Sequence, residues 1–297
     1  MKLRIWIKAF RLRTLPLALS CTILGSFLAY AHNQFNWAVF VLGIITTLLL
    51  QILSNLANDY GDTLHGVDNE TRIGPKRITQ QGLVSRKAMR LAIILISIAT
   101  VITGASLVLI GLHNNVQVIV FLLLGILAIF AAIKYTVGKN PYGYVGLGDV
   151  FVFVFFGIVG VAGTFYLHTH HFDPWVLLPA SSVGLLSSGV LNLNNMRDIE
   201  NDSKSGKRTL VVRIGERAAK LYHILLITFS MIAGSLYTIH FYKSIFQLLF
   251  ILTIPLFVLN IKVVLQNTEP IELNNELKKL AISTFVFSIT FGVGMIL

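Results

Sequence analysis

Charge is scarce in this sequence: only 12% of its 297 residues are charged, and 13 of those are Asp or Glu. Globular domains carry roughly 25% charged residues and disordered chains more, so neither class accommodates the chain. A mean hydropathy of +0.76, with 55% hydrophobic residues, points to a polytopic membrane protein. Cysteine is nearly absent. Cys21 stands alone in an apolar run, which excludes an internal disulfide and leaves no basis for a cysteine metal site. Acids are outnumbered by 24 Lys and Arg, giving a formal net charge of +11. In a soluble chain that excess would suggest nucleic acid; in a membrane chain it reports topology, and no nucleic-acid partner is expected.

What is present is a succession of apolar runs. A helix needs about 20 residues to cross a bilayer, and nine stretches qualify: 14–31, 37–58, 89–111, 116–135, 149–168, 174–195, 220–240, 244–264 and 279–297. They are too long and too uniformly apolar for the alternating strands of a membrane barrel. The expected fold is therefore all-α, with nine transmembrane helices and a cytoplasmic N-terminus. In that orientation 23 of the 24 Lys and Arg lie on the cytoplasmic side, with only Lys243 opposite, as the positive-inside rule requires. The first run resembles a signal sequence, with Ala29-Tyr30-Ala31 as a cleavage tripeptide. It is longer than a signal core and eight spans follow, so it reads as an uncleaved helix. Two long polar loops, 59–88 and 196–219, are both expected on the cytoplasmic side.

The second run passes directly into Asn55-Leu56-Ala57-Asn58-Asp59-Tyr60-Gly61-Asp62. On a helix Asn55, Asn58, Asp59 and Asp62 fall within an arc of about 100°. The sixth run ends similarly, in Asn195-Met196-Arg197-Asp198-Ile199-Glu200-Asn201-Asp202, where Asn195, Asp198 and Asp202 fall within about 60°. Carboxylates at a membrane boundary are costly unless paired or metal-bound, and like charges four residues apart repel. A divalent ion removes both penalties, and an all-oxygen set suits Mg²⁺. Bases follow each cluster: Arg72, Lys76 and Arg77 after the first, Lys207 and Arg208 after the second. Mg²⁺ and bases converging on one face form a diphosphate clamp. Arg86, Lys87, Arg90, Arg217, Lys220, Lys278 and Lys279 are read instead as topology determinants or lipid contacts.

With these motifs in view, the chain resembles the UbiA-type intramembrane aromatic prenyltransferases over its whole length. The finer pattern is similar to the branch that prenylates 1,4-dihydroxy-2-naphthoate. It comprises Asn58-Asp59-Tyr60-Gly61-Asp62, Gly66-Val67-Asp68, Arg72-Ile73-Gly74-Pro75-Lys76-Arg77, the Asn195–Asp202 motif, Arg13-Thr14-Leu15-Pro16 and Tyr142-Gly143-Tyr144-Val145-Gly146-Leu147-Gly148-Asp149. Asp68 stands six residues after Asp62, a spacing shared with that branch, which leaves its role as a direct metal ligand open. The resemblance implies one integral-membrane prenyltransferase domain over 1–297. It implies nine helices around a central cavity, capped by the two loops and open sideways to lipid for a polyprenyl tail. It implies transfer of that tail from polyprenyl diphosphate to the carboxyl-bearing carbon of the naphthoate, with loss of CO₂ and diphosphate, giving demethylmenaquinol in a bacterial cell membrane.

The residues suit that chemistry. Asp59 and Asp62 on one side and Asp198 and Asp202 on the other are the expected Mg²⁺ holders, with Asp68 a further candidate. Asn55, Asn58 and Asn195 complete the coordination or bond phosphate oxygens, alongside Lys76, Arg77, Lys207 and Arg208. Tyr60 or Tyr135 offers a π face to an allylic cation. Arg11, Arg13 or Lys139 is available for the acceptor carboxylate, and a general base is required but not identified. Other readings are weaker. A different acceptor such as 4-hydroxybenzoate would need the same motifs. A GxGD-type aspartyl protease, from Gly146-Leu147-Gly148-Asp149, does not explain five Asp among basic loops, and Asp149 reads more simply as the N-cap of the fifth span. A transporter would place its carboxylates near the midplane. His65 reads as a loop residue, and His168, His170 and His171 as a polar turn.

Overall fold

The computed structural model describes residues 2–67, 73–74 and 77–297. These residues form helices and no strand. The helices are α1 (Lys2–Phe10), α2 (Leu15–Ala31), α3 (Trp37–Leu64), α4 (Arg86–Gly111), α5 (Asn115–Lys134) and α6 (Gly148–Thr169). They continue as α7 (Leu177–Arg197), α8 (Ile199–Lys204), α9 (Leu210–His240), α10 (Ile245–Gln266) and α11 (Leu273–Ile296). Among the described residues nine helical segments are long and apolar enough to cross a membrane, α1 and α2 together making the first. This is the number the hydropathy runs predict.

Helix starts follow capping chemistry. Asn36, Ser85, Asn114 and Thr209 each accept a backbone N–H from the first turn of α3, α4, α5 and α9, and Ser244 with Gln247 closes a capping box on α10. The boundaries depart from the apolar runs where a helix begins in polar sequence. The seventh and ninth spans start at Leu210 and Pro270 rather than 220 and 279, because their first turns carry bases and acids outside the bilayer. The 59–88 loop is shorter than expected, since α3 runs on to Leu64. The 196–219 loop contains α8.

At the centre lies α7, packed on α6, α9 and α11, while α2 packs on α11, α3 and α6. The α6–α7 contact is backbone to backbone: a Cβ on Gly157 would stand 2.6 Å from the Ala180 carbonyl oxygen. Close approach at small residues is how membrane helices gain packing energy without a hydrophobic drive. Phe153–Gly163 of α6 takes the wider π-helical turn, a form frequent at functional sites. By contrast α4 and α5 lie outermost, exposing Leu91, Ile98, Ile102, Val116, Ile119 and Ile126. A belt of that kind is stable only against lipid.

Candidate active site

A cavity of about 530 Å³ is bounded by α2 to α7. Its body is apolar, with Phe121 and Gly125 of α5 and Phe155, Val159 and Gly163 of α6 on its wall. Its polar end carries Arg11, Asn58, Asp62, Arg77, Asn194 and Lys207. The space thus suits an amphiphile with an anionic head and a long apolar body.

The first acidic cluster is split by the helix that carries it. Asp62 is buried and doubly engaged: Arg77 donates to Oδ2 at 2.7 Å and the Tyr144 hydroxyl donates to Oδ1 at 2.8 Å. Asp59, also buried, turns to the following loop, where its two oxygens accept the backbone N–H groups of Ile78 and Thr79 at 3.1 and 3.3 Å. Asn58 lines the cavity and accepts from the Thr136 hydroxyl at 3.2 Å. Asn55 points elsewhere: its amide donates to the Phe10 carbonyl at 2.9 Å and to Thr14 at 3.0 Å, tying the N-terminal segment to α3. Tyr60 packs with the cluster around Leu56 and Met89. The expected common face therefore serves three surroundings. Gly61 explains itself sterically, because a Cβ there would stand 2.6 Å from the carbonyl oxygen of Thr136.

The second cluster is reshaped by a break. Asp198 ends α7 with φ −97° and ψ 10°, so helical projection does not carry from Asn195 to Asp202. Arg197 grips Asp198 with two hydrogen bonds, of 2.9 and 2.5 Å. Asp202, in α8, meets Lys207 at 3.4 Å through Oδ1. Its Oδ2 and the Oδ1 of Asn195 are buried oxygens without a hydrogen-bond donor among the described residues. Burial pushes the Asp202 carboxyl up to about 6, reinforced by the charges of Asp198 and Asp62 and opposed by Lys207. That influence places Asp62 and Asp202 in one electrostatic neighbourhood.

Backbone and side-chain ties join the polar segments at this end. The Asn201 amide donates to the Val67 carbonyl at 3.0 Å, and the Arg208 backbone N–H to the Tyr144 carbonyl at 2.9 Å. Lys207 is buried over the Tyr144 ring, 5.5 Å from its centroid. Arg208 and Arg13 are exposed and lie off the cavity wall. Lys139 is exposed too, its carbonyl accepting from Lys134 at 2.5 Å. Arg11, on the wall, is the one of the three proposed carboxylate holders that faces the cavity. Asp68 and Lys76 lie outside the described residues.

Tyr135 lines the cavity, its ring edge-on to Tyr142 at 5.3 Å. Burial raises its phenol, and Asp149, Asp62 and Asp202 raise it further, so it keeps its proton. Asp149 is not the N-cap expected of it: the helix begins at Gly148, capped by Leu147, with no side-chain cap. His168 corrects the polar-turn expectation. It is buried, accepting the Asn36 N–H at 3.1 Å and pairing with Ser26 at 2.9 Å. Sequence reasoning passed over Tyr144 and Arg197 as site residues. Both sat inside quoted motifs, and a base adjoining a buried acid was the available signal for Arg197.

The all-oxygen donors Asp62, Asp202, Asn58 and Asn195 fit a hard divalent cation, and the two donor-free buried oxygens are the observation that favours it. Among the described residues no group of three or more His, Cys, Asp or Glu is clustered tightly enough to hold a metal alone, so amides, waters or phosphate oxygens would complete the shell.

Comparison with known proteins agrees with this geometry. Residues 18–290 match the UbiA prenyltransferase family. The chain is 44% identical to the 1,4-dihydroxy-2-naphthoate octaprenyltransferase of Haemophilus influenzae, covering 100% of this chain and 97% of that one. It is 41% identical to the Escherichia coli protein of the same name, covering 98% and 95%. The fold is similar to the apo structure of a UbiA homolog from Aeropyrum pernix K1, with TM-score 0.71 and 18% identity over 95% of this chain and 96% of that one. It is also similar to a UbiA homolog from Archaeoglobus fulgidus bound to DMAPP and Mg²⁺, with TM-score 0.60 and 18% identity over 96% and 98%.

Proposed function

We propose a reaction that starts from one premise: the chain belongs to the UbiA prenyltransferase family. It transfers a polyprenyl group from polyprenyl diphosphate to 1,4-dihydroxy-2-naphthoate, releasing CO₂ and diphosphate and giving demethylmenaquinol. The observation that carries this reading is the cavity, whose basic and carboxylate end passes into an apolar body. Full-length similarity to two naphthoate octaprenyltransferases supports the acceptor.

Breaking an allylic C–O bond leaves its electron pair on diphosphate, and the site must meet that charge as it develops. Arg77 and Lys207, both buried and on the cavity wall, would bind the phosphate oxygens. Asp62 and Asp202 would hold Mg²⁺, with Asp68 a further candidate and Asn58 and Asn195 as neutral oxygen donors. Bound there, Mg²⁺ supplies Lewis-acid neutralisation of the leaving group. Arg77, Arg197 and Lys207 pair with Asp62, Asp198 and Asp202. Asp59 anchors the segment that carries Arg77 through the backbone N–H groups of Ile78 and Thr79, and this end of the cavity must keep water from the allylic cation. Tyr135 presents a π face to that cation, and Arg11 would hold the acceptor carboxylate. The membrane is the bacterial cell membrane, with the site facing the cytoplasm, a placement supported by the side on which 23 of 24 bases fall.

The test uses purified protein in lipid with polyprenyl diphosphate, Mg²⁺ and either naphthoate or 4-hydroxybenzoate. A prenylated, decarboxylated naphthol is the expected product by mass; prenylation of hydroxybenzoate alone would transfer the reading to another acceptor, and no product with either would end it.

A further inference from the structure

The two acidic motifs end in the same way. In Asp62-Thr63-Leu64-His65-Gly66-Val67 and in Asp202-Ser203-Lys204-Ser205-Gly206-Lys207, a glycine stands four residues after the aspartate. Both glycines adopt left-handed backbone, Gly66 at φ 69° and Gly206 at φ 73°. A Cβ at either would meet nothing within 4 Å, so the backbone angle and not crowding calls for glycine. The residue after each glycine turns back on its aspartate. The Val67 N–H donates to the Asp62 carbonyl at 3.0 Å, and the Lys207 N–H to the Asp202 carbonyl at 2.8 Å. This is the six-to-one bond of a Schellman cap. Asp62 and Asp202 thus hold the same position in the last turn of α3 and of α8, each fixed to the chain that leaves its helix.

One side chain joins the two caps. The Asn201 amide donates to the Val67 carbonyl at 3.0 Å, and both residues are buried, where low polarity strengthens such a bond. A carbonyl oxygen accepts only, so the amino group of Asn201 must face it. Spanning 134 residues of sequence, the bond is a tertiary restraint and not part of either cap. Val67 holds the backbone of Asp62, and Asn201 directly precedes Asp202. The path between the two aspartates is therefore two hydrogen bonds and one peptide link. Lys207 also grips Asp202, but it belongs to the same cap and does not tie Asp202 to α3.

We infer that Asn201 is a positioning residue: its amide sets the separation of Asp62 and Asp202, so that a divalent cation reaches both motifs. The role rests on the metal reading proposed above. Ligand distances at a metal hold to within about 0.2 Å, and carboxylates on separate helices meet that demand only when the helices are held. A restraint made of protein atoms alone lowers the ordering cost that cation binding would otherwise carry. Asn201 acts through the two aspartates and touches neither cation nor substrate.

The experiment uses the full chain in lipid, with Mn²⁺ as a paramagnetic probe, and compares wild type, Asn201→Ala, Asn201→Gln and Ser182→Ala. Ser182 is the matched control: its buried hydroxyl donates to the Ser230 carbonyl at 2.7 Å, about four turns along α7 from Asp198. Spin labels at Leu64→Cys and Lys204→Cys, in a Cys21→Ser background, report the distance between the ends of α3 and α8; both positions are exposed. Asn201→Ala should bind Mn²⁺ about tenfold more weakly, the effect of losing one buried hydrogen bond, and should broaden the label distance. The Mg²⁺ concentration for half-maximal turnover should rise by the same factor, while kcat at saturating Mg²⁺ and KM for the naphthoate stay close to wild type. Asn201→Gln keeps the donor and should recover part of the affinity. Ser182→Ala should lower thermal stability with Mn²⁺ affinity and label distance unchanged. The inference is overturned if Asn201→Ala matches wild type in Mn²⁺ affinity or in label distance, or if Ser182→Ala reproduces both losses. A wild type that binds no Mn²⁺ would instead overturn the metal reading beneath it.

Discussion

The guanidinium of Arg77 reaches the carboxylate of Asp62 across 2.7 Å, and both side chains are buried at the polar end of the cavity. Removing one member of such a pair strands the other charge, at a cost of about 3–5 kcal/mol. Arg77→Ala should therefore raise KM for the diphosphate and cut kcat/KM by about two orders of magnitude. Arg77→Lys should recover only part, since an ammonium cannot reproduce the planar fork. Steady-state kinetics against diphosphate concentration check both, and unchanged KM in Arg77→Ala would remove Arg77 from the diphosphate site.

Asp59 and Asp202 should respond differently to the same isosteric change. Asp59→Asn weakens the acceptor for the N–H groups of Ile78 and Thr79, a loss of about 1–3 kcal/mol for buried partners. Those two amides should then exchange hydrogen faster. Asp202→Asn should leave their exchange alone while abolishing Mg²⁺-dependent turnover. Equal protection in both variants would show that Asp59 does not anchor the loop.

Tyr144 links the two halves of the site, donating to Asp62 at 2.8 Å and lying under Lys207. Tyr144→Phe keeps the ring and removes the donor, so turnover should fall by about tenfold, as for a hydrogen bond to a charged group, while thermal stability changes little. A rate equal to wild type would leave the hydroxyl without a part in the site.

Gly61→Ala should be a folding lesion. Its new methyl would meet the Thr136 backbone at 2.6 Å, and overpacking of this kind costs about 1–3 kcal/mol. A lower melting temperature in detergent, with Asp62 displaced and activity lost, is the expected outcome.

The nine spans were legible because about 20 apolar residues is a length no other structure uses so repeatedly. The acidic motifs were legible as a site, yet their division of labour was not. Helical projection groups Asn55, Asn58, Asp59 and Asp62, but the arc is wide enough for Asn55 to meet the N-terminal segment while Asp62 meets the cavity. Projection failed outright beyond Asp198, where α7 stops. Composition carries no signal for such a break, and Arg197 gripping its own neighbour is a tertiary fact. Tyr144 was hidden for a similar reason, since its partner lies 82 residues away. Arg208 and Lys139 looked equivalent to Lys207 by charge, but only the fold separates the buried base from the exposed ones.

The central claim concerns one coupled event: prenyl transfer at the carbon that loses its carboxyl group, driven by a metal-neutralised diphosphate. It is tested most directly with naphthoate labelled with ¹³C in the carboxyl group. Labelled CO₂ and diphosphate are measured together from protein in lipid, with Mg²⁺ or with excess chelator. The account predicts one labelled CO₂ per diphosphate with Mg²⁺ and neither product with chelator. Diphosphate release without labelled CO₂, or equal turnover in chelator, would contradict it.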